Sequence, residues 1–120
     1  MPSAEDITKT VNRYIELVGG GSAEDIAALY TEDAVLEDPV GGDVLRGRDA
    51  VRGFYANVEN VERTCELVTL RVSGNEAAFQ FRLTVAGAML IEPIDVMVFD
   101  DEGKVKSMRA YWGPENVIQL

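Results

Sequence analysis

The spacing of hydrophobic residues changes near Asn60, and this change restricts the possible folds more than any other feature of the 120-residue sequence. Before Asn60, hydrophobic side chains recur every three or four residues, which is typical of amphipathic helices. After Asn60 they alternate with polar ones, as in residues 76–85, which is typical of strands with one buried face. Helices and strands in separate runs predict an α+β fold, and the length fits one domain over residues 1–120.

Three helices are predicted in the first half of the chain. Ser3, with an acidic residue three positions later, has the pattern of a capping box at the start of the first helix, and residues 19–21, all glycine, end it. Ser22 begins a shorter second helix with the same pattern, and a third is expected over about residues 48–58. Each helix has hydrophobic residues along one side, so each is expected to pack against a second layer.

The strands are predicted at five places. A short strand over residues 33–38 should end at the proline that follows it, because the residue before a proline favours extended geometry. Four longer strands are then separated by short turns and are expected to form an antiparallel meander: 64–72, 76–85, 91–99 and 104–112. The helices are expected to cover one face of this sheet.

The sequence contains no histidine and only one cysteine, Cys65. The lack of histidine excludes Ser-His and Cys-His nucleophile pairs and histidine-based zinc sites. A single cysteine cannot form a disulfide within the chain, so we expect a reducing, cytoplasmic environment and a small core residue at position 65. Acid–base chemistry must therefore come from carboxyl groups, tyrosines or lysines, and no metal or cofactor is expected.

The net charge of −10, from 11 basic and 21 acidic residues, restricts the class of partner. No basic cluster is present, which argues against nucleic acid and anionic membranes, and an anionic substrate would be repelled at long range. No apolar run approaches the length of a membrane span, and the first residues, MPSAED, are acidic where a signal peptide would be basic. We therefore expect a neutral, apolar small molecule as the ligand.

Asp95 lies within the segment IEPIDVMVF, residues 91–99, which otherwise has the composition of a buried strand. A buried carboxylate is costly, so proteins usually pair it with a cation or keep it protonated. Two interpretations follow from the pattern. Asp95 either forms a structural salt bridge, for which Arg82 and Arg109 are candidates, or is held neutral for a chemical purpose.

Asp38 and Tyr14 are two further candidates. In the extended segment VLEDPVGG, the alternation of hydrophobic and polar residues directs Asp38 inward and Glu37 outward, although an aspartate before a proline is also a common turn residue. Tyr14 lies on the hydrophobic side of the first helix. If it is buried, its hydroxyl needs a hydrogen-bond partner, and the pattern alone favours an ordinary core tyrosine with its tip in water.

Six segments in order resemble those of bacterial ketosteroid isomerases, and the likeness extends through almost the whole chain. They are RYIELV at 13–18, EDPVG at 37–41, FYAN at 54–57, NEAAF at 75–79, PID at 93–95 and SMRAYWG at 107–113. The resemblance implies the cone-shaped fold shared with nuclear transport factor 2, with three N-terminal helices packed in the concave face of a curved, mainly antiparallel sheet. It also implies a homodimer.

The resemblance also implies roles for individual residues. Tyr14 and Asp95 match the oxyanion hole, Asp38 matches the general base, and Tyr30 and Tyr55 match tyrosines that extend the hydrogen-bond network. In ketosteroid isomerases the two carboxyl groups have divergent pKa values, and the one in the oxyanion hole stays protonated. A protonated Asp95 could donate a hydrogen bond, which an ionised one cannot.

The implied reaction moves a double bond of a 3-oxo steroid from the β,γ to the α,β position through a dienolate. We expect the cavity for such a substrate to be lined by Phe54, Phe81, Leu83, Met97, Met108 and Trp112. Two alternatives stay open: another small-molecule enzyme of the same fold (a cyclase, a dehydratase or an epoxide hydrolase), and a steroid- or lipid-binding protein without turnover. The absence of histidine argues against a dehydratase.

Overall fold

The computed structural model describes all 120 residues as three α-helices, one 3-10 turn and eight strands. In chain order these are α1 (Ala4–Val18), α2 (Ala23–Ala27), β1 (Tyr30–Glu37), β2 (Val44–Arg46), α3 (Arg48–Tyr55), β3 (Arg63–Ser73), β4 (Glu76–Val85), β5 (Met89–Ile91), β6 (Ile94–Phe99), β7 (Val105–Tyr111), the 3-10 turn (Pro114–Asn116) and β8 (Val117–Gln119). No helix has both the length and the hydrophobicity needed to cross a membrane.

The helix starts agree with the predicted caps. The Ser3 hydroxyl accepts from the backbone N–H of Asp6 at 3.0 Å, and the Ser22 hydroxyl accepts from that of Asp25 at 3.1 Å. Each bond satisfies one backbone donor that the first turn of a helix leaves free. The third helix ends at Tyr55 and not near residue 58, because the chain continues in tighter turns with i→i+3 bonds.

The strands form one mixed sheet in the order β2-β1-β7-β6-β4-β5-β8, with β3 also paired to β4. The predicted meander is therefore incomplete: β1 pairs with β7 in parallel, while the other pairings are antiparallel. Three strands of three residues each, namely β2, β5 and β8, were not predicted, because such short strands show no periodicity. The sheet is nevertheless mainly antiparallel and curved, as expected.

The side chains of strand β6 alternate between the two faces of the sheet. Asp95, Met97 and Phe99 are each at most 1% exposed and face the hydrophobic core, which also contains the buried sides of the helices. The alternate residues Ile94, Val96 and Val98 are exposed or half-buried and lie on the other face. Because side chains alternate along a strand, Asp95 is directed into the layer between sheet and helices.

Candidate active site

A cavity of about 680 Å³, counted to include its open mouth, lies in this layer. Nine of its twelve lining residues are hydrophobic, so it suits an apolar ligand. The lining residues are Tyr14, Val18, Asp38, Phe54, Tyr55, Asn57, Val58, Phe81, Leu83, Ile91, Pro93 and Trp112. The cavity therefore brings together residues from α1, α3, β4 and the segments that follow β1 and β7.

Four of the six predicted lining residues do line this cavity: Phe54, Phe81, Leu83 and Trp112. The prediction was wrong for Met97 and Met108, which are fully buried in the core and do not contribute to the cavity surface. The pattern of alternation identified the correct face of their strands. It could not show how deep along that face a residue lies, because core and cavity share the same face.

Three tyrosine hydroxyl groups form a buried chain beside the cavity. The hydroxyl of Tyr55 lies 2.7 Å from that of Tyr30 and 2.9 Å from that of Tyr14, and all three residues are at most 4% exposed. Burial is the main cause that raises the pKa of each hydroxyl above its ordinary value. All three are therefore neutral at physiological pH and available as donors.

The hydroxyl of Tyr14 is also directed at Asp95. It donates to Oδ2 of Asp95 at 3.4 Å, and the Asp95 side chain is 1% exposed. The second carboxyl oxygen, Oδ1, is buried without any hydrogen-bond partner. An unpartnered buried polar atom is uncommon and calls for an explanation in terms of function or bound ligand.

The salt-bridge interpretation of Asp95 is wrong. Arg82 pairs with Glu92 at 3.0 Å, and Arg109 pairs with Glu37 at 3.1 Å, both on the exposed side of the sheet. Burial raises the pKa of Asp95 well above its ordinary value, the negative charge of Asp38 raises it further, and the bond from Tyr14 opposes this. No cation lies beside Asp95 to favour its ionised form, so its surroundings favour the protonated carboxyl.

Asp38 follows the last residue of β1 and has a different environment. It lines the cavity, and the indole N–H of Trp112 donates to its Oδ1 at 2.6 Å. Partial burial raises the pKa of Asp38, while the bond from Trp112 lowers it. Its neighbour Glu37 points outward as the alternation predicts, and it accepts from Arg109 and from the backbone of Gly41.

Two residues near the site were missed by sequence reasoning. Arg63 is only 9% exposed and donates to backbone carbonyl groups at the end of α1, and Asn57 lines the cavity mouth. Arginine and asparagine are usually exposed, so nothing in the local pattern distinguished them. Cys65 is half-buried, and burial raises the pKa of its thiol to about 12, so it is a poor nucleophile.

The arrangement combines an accessible carboxyl group, Asp38, with a buried one, Asp95, whose pKa is raised well above its ordinary value. Asp38 can accept a proton within an apolar cavity, where water competes little. Tyr14 and a protonated Asp95 can donate hydrogen bonds to an oxygen atom that gains negative charge. This pairing suits proton abstraction next to a carbonyl group, with the resulting oxyanion held at the other end of the site.

Comparison with known proteins finds one matching family model and two similar enzymes. Residues 11–108 match the family model of the SnoaL-like domain. The chain is 46% identical to a steroid delta-isomerase of Nocardioides simplex, with 94% of each protein covered. It is 26% identical to the epoxide hydrolase LasB of Streptomyces lasalocidi, with 99% of this chain but only 51% of that relative covered.

Among solved structures, the chain is similar over its full length to the epoxide hydrolase/cyclase-like enzyme SalBIII, which has a role in pyran ring formation in the polyether salinomycin. The TM-score is 0.92 and the sequence identity 29%, with 100% of both chains covered. The helices and the curved sheet are thus shared with this enzyme.

Proposed function

Because this chain belongs to the SnoaL-like domain family and to the steroid delta-isomerases, we propose that it moves the double bond of a 3-oxo steroid from the β,γ to the α,β position. The observation that carries the proposal is the pair of carboxyl groups with opposite environments. Asp38 lines an apolar cavity, whereas Asp95 is buried behind it without a cation. The neutral substrate class also fits a chain of net charge −10.

Asp38 acts in this proposal as the base that carries the proton. Its carboxylate removes a proton from the carbon between the carbonyl and the alkene, and the C–H electron pair becomes part of a dienolate. Asp38 then returns the proton two carbons further along, so the net reaction neither adds nor removes atoms. Oδ1 is held by Trp112 at 2.6 Å, which leaves Oδ2 as the oxygen for proton transfer.

Tyr14 and Asp95 stabilise the negative charge that gathers on the steroid oxygen. Tyr14 lines the cavity, and its single hydroxyl proton would turn from Oδ2 of Asp95 to the steroid oxygen. The free Oδ1 of Asp95 is the atom from which a neutral carboxyl would donate. The loss of one such donor typically costs about 3–4 kcal/mol of barrier. Tyr30 and Tyr55 do not contact the steroid oxygen in this proposal but hold the Tyr14 hydroxyl in place.

The experiment is to mix the protein with a β,γ-unsaturated 3-oxo steroid and follow the ultraviolet absorbance of the conjugated enone. We expect rapid growth of this band with the native protein. Asp38→Asn should reduce the rate by about a hundredfold to ten-thousandfold, because a general base is lost, while steroid binding is kept.

Glu37→Gln is the matched control, since Glu37 is the adjacent acid but points away from the cavity. Its rate should remain close to that of the native protein. An Asp38→Asn variant that turns over at the native rate would remove Asp38 from the role of base.

Epoxide opening is a second candidate, favoured by the full-length similarity to SalBIII and the weaker one to LasB. Asp38 would accept the proton of an attacking hydroxyl, and a new carbon–oxygen bond would replace one epoxide bond. Tyr14 and Asp95 would stabilise the released alkoxide, which would take up a proton from water while Asp38 returns its own proton to water. Arg82 provides no support, since its ion pairs with Glu66 and Glu92 hold it outside the cavity. Incubation with a hydroxy-epoxide tests this reaction, and product formation without any steroid turnover would favour it.

We also propose that the molecule is a cytoplasmic homodimer that associates through the outer face of its sheet. Ile94, Val96 and Val98 present three consecutive outward hydrophobic side chains there, beside Ala78 and Tyr111 of the neighbouring strands. A sheet face in water normally carries polar residues at such positions. A second copy of the chain would bury them.

A further inference from the structure

One polar side chain of the cavity has no part in the proposed reaction. Asn57 lines the mouth and is exposed, whereas Tyr14 at the inner end is 2% exposed. Each of the other polar groups of the lining has a protein partner and a role in the proposed site. Tyr14 and Tyr55 belong to the hydroxyl chain, and the indole N–H of Trp112 is bonded to Asp38.

The side-chain amide of Asn57 has a fixed orientation. Residue 57 lies two positions after the end of α3, and its Nδ2 donates to the backbone carbonyl of Phe54 at 3.0 Å. This bond directs the NH₂ group toward the end of the helix and leaves Oδ1 as an acceptor without a protein partner. Oδ1 is thus a free acceptor on a residue of the cavity lining, in which nine of twelve residues are hydrophobic.

The buried Tyr14 and the exposed Asn57 both line the cavity, so we take Tyr14 as its inner end and Asn57 as its mouth. A flat steroid with its ketone oxygen at Tyr14 would therefore have its opposite end at the mouth. We propose that Asn57 determines specificity by accepting a hydrogen bond from a hydroxyl group on the end of the steroid remote from the ketone. This inference rests on the proposed function, because that function fixes which end of the ligand is innermost.

The expected effect is on binding and not on the chemical step. A net hydrogen bond of this kind changes affinity by about threefold to tenfold. The contact is remote from the reacting carbons and is the same in the ground state and the transition state. Its loss should therefore raise KM and leave kcat unchanged.

The test uses three β,γ-unsaturated 3-oxo steroids that differ only at the far end, which carries a hydroxyl, a ketone or hydrogen. The kcat and KM of each are measured with the native protein, Asn57→Ala and Asn57→Asp. The native protein should bind the hydroxylated steroid about threefold to tenfold more tightly than the one without oxygen. Asn57→Ala should lose this preference, and Asn57→Asp, which keeps an acceptor oxygen, should retain it.

Two controls separate specificity from damage to the fold. The steroid without far-end oxygen is the reference for each protein, so the ratio of its KM to that of the hydroxylated steroid measures the hydroxyl preference separately from any general loss of activity. Asn60→Ala changes an exposed asparagine of the same loop that does not line the cavity, and it should leave all three substrates unaffected. A hydroxyl preference that is absent from the native protein, or that survives in Asn57→Ala, would overturn the inference.

The dissociation constants of the corresponding conjugated steroids are measured in parallel from quenching of Trp112, the only tryptophan, which lines the cavity. Binding requires no turnover, so it tests Asn57 independently of the reaction. Absence of the enone band with all three steroids would reject the isomerase function. The binding constants would still show whether Asn57 recognises the hydroxyl group.

Discussion

The raised pKa of Asp95 makes the stability of the protein depend on pH. In the unfolded chain an aspartate has a pKa of about 3.9, whereas burial, followed by the charge of Asp38, raises the pKa of Asp95 in the folded protein. Above about pH 4 the folded state therefore holds a proton that the unfolded state releases. The free energy of unfolding falls as the pH rises, until the pH passes the raised pKa of the folded state.

We predict that Asp95→Asn removes the contribution of Asp95 to this decrease in the free energy of unfolding, because an amide does not titrate. The free energy of unfolding should be measured by urea denaturation between about pH 5.5 and about pH 8.5. Over this range the free energy of unfolding of the variant should rise relative to that of the native protein by up to about 1.4 kcal/mol per pH unit. Asp43→Asn, at an exposed position, is the control and should follow the native protein. A constant difference between Asp95→Asn and the native protein would show that Asp95 is ionised in the folded state.

Trp112 affects the ionisation of Asp38, the proposed base. Its indole N–H stabilises the ionised carboxyl, so Trp112→Phe should raise the pKa of Asp38 and move the acid limb of the pH–rate profile to higher pH. The smaller ring also buries less area, which should raise KM by about fivefold.

The profile of kcat/KM against pH checks this prediction. Phe54→Leu, which changes another cavity side chain that makes no bond to Asp38, should alter KM and leave the midpoint in place. An unshifted midpoint in Trp112→Phe would separate Trp112 from the ionisation of the base.

Arg63 links strand β3 to the end of α1 by hydrogen bonds that the sequence pattern does not predict. The last turn of α1 has no basic residue of its own, and Arg63 at the start of β3 donates to five backbone carbonyl groups there and in the adjoining loops. The final carbonyl groups of a helix otherwise lack partners. Arg63 therefore fixes the end of the helix that carries Tyr14.

We predict that Arg63→Met lowers the free energy of unfolding by about 3–5 kcal/mol, because buried carbonyl groups lose a charged donor. Arg71→Met is the matched control on the same strand, where the side chain is exposed, and it should change stability by about 0.5 kcal/mol or less. Thermal or urea unfolding of both variants measures the difference. A loss below about 1 kcal/mol for Arg63→Met would mean that water replaces these bonds at little cost.

The elements also show what a sequence can and cannot predict. The caps at Ser3 and Ser22 depend on residues three positions away, so the local pattern was sufficient. The parallel pairing of β1 with β7 joins residues such as Leu36 and Met108, and no local periodicity encodes a contact over that separation. At the site, the motifs indicated Asp38 correctly as a cavity residue, but the contacts of Asn57 depend on three-dimensional packing.

At the scale of the whole molecule, the net charge opposes association of two copies of the chain, whereas the outer face of the sheet favours it. A formal charge of −10, or about −9 with Asp95 neutral, makes two copies of the chain repel each other. The outward side chains of β6 favour association, since their burial removes hydrophobic area from water. Repulsion between charges outside the interface is screened by salt, whereas the hydrophobic contribution is not.

We therefore predict a homodimer of twice 13.1 kDa whose dissociation constant decreases as the salt concentration rises. Ile94→Lys should convert it to a monomer, because the substitution places a charge in the proposed interface. Val68→Lys is the matched control: Val68 is 45% exposed and Ile94 47%, but Val68 lies on β3, which pairs with β4 and not with β6. Sedimentation velocity measures the mass of each, and a native monomer, or dissociation by both substitutions, would contradict association through the outer face of β6.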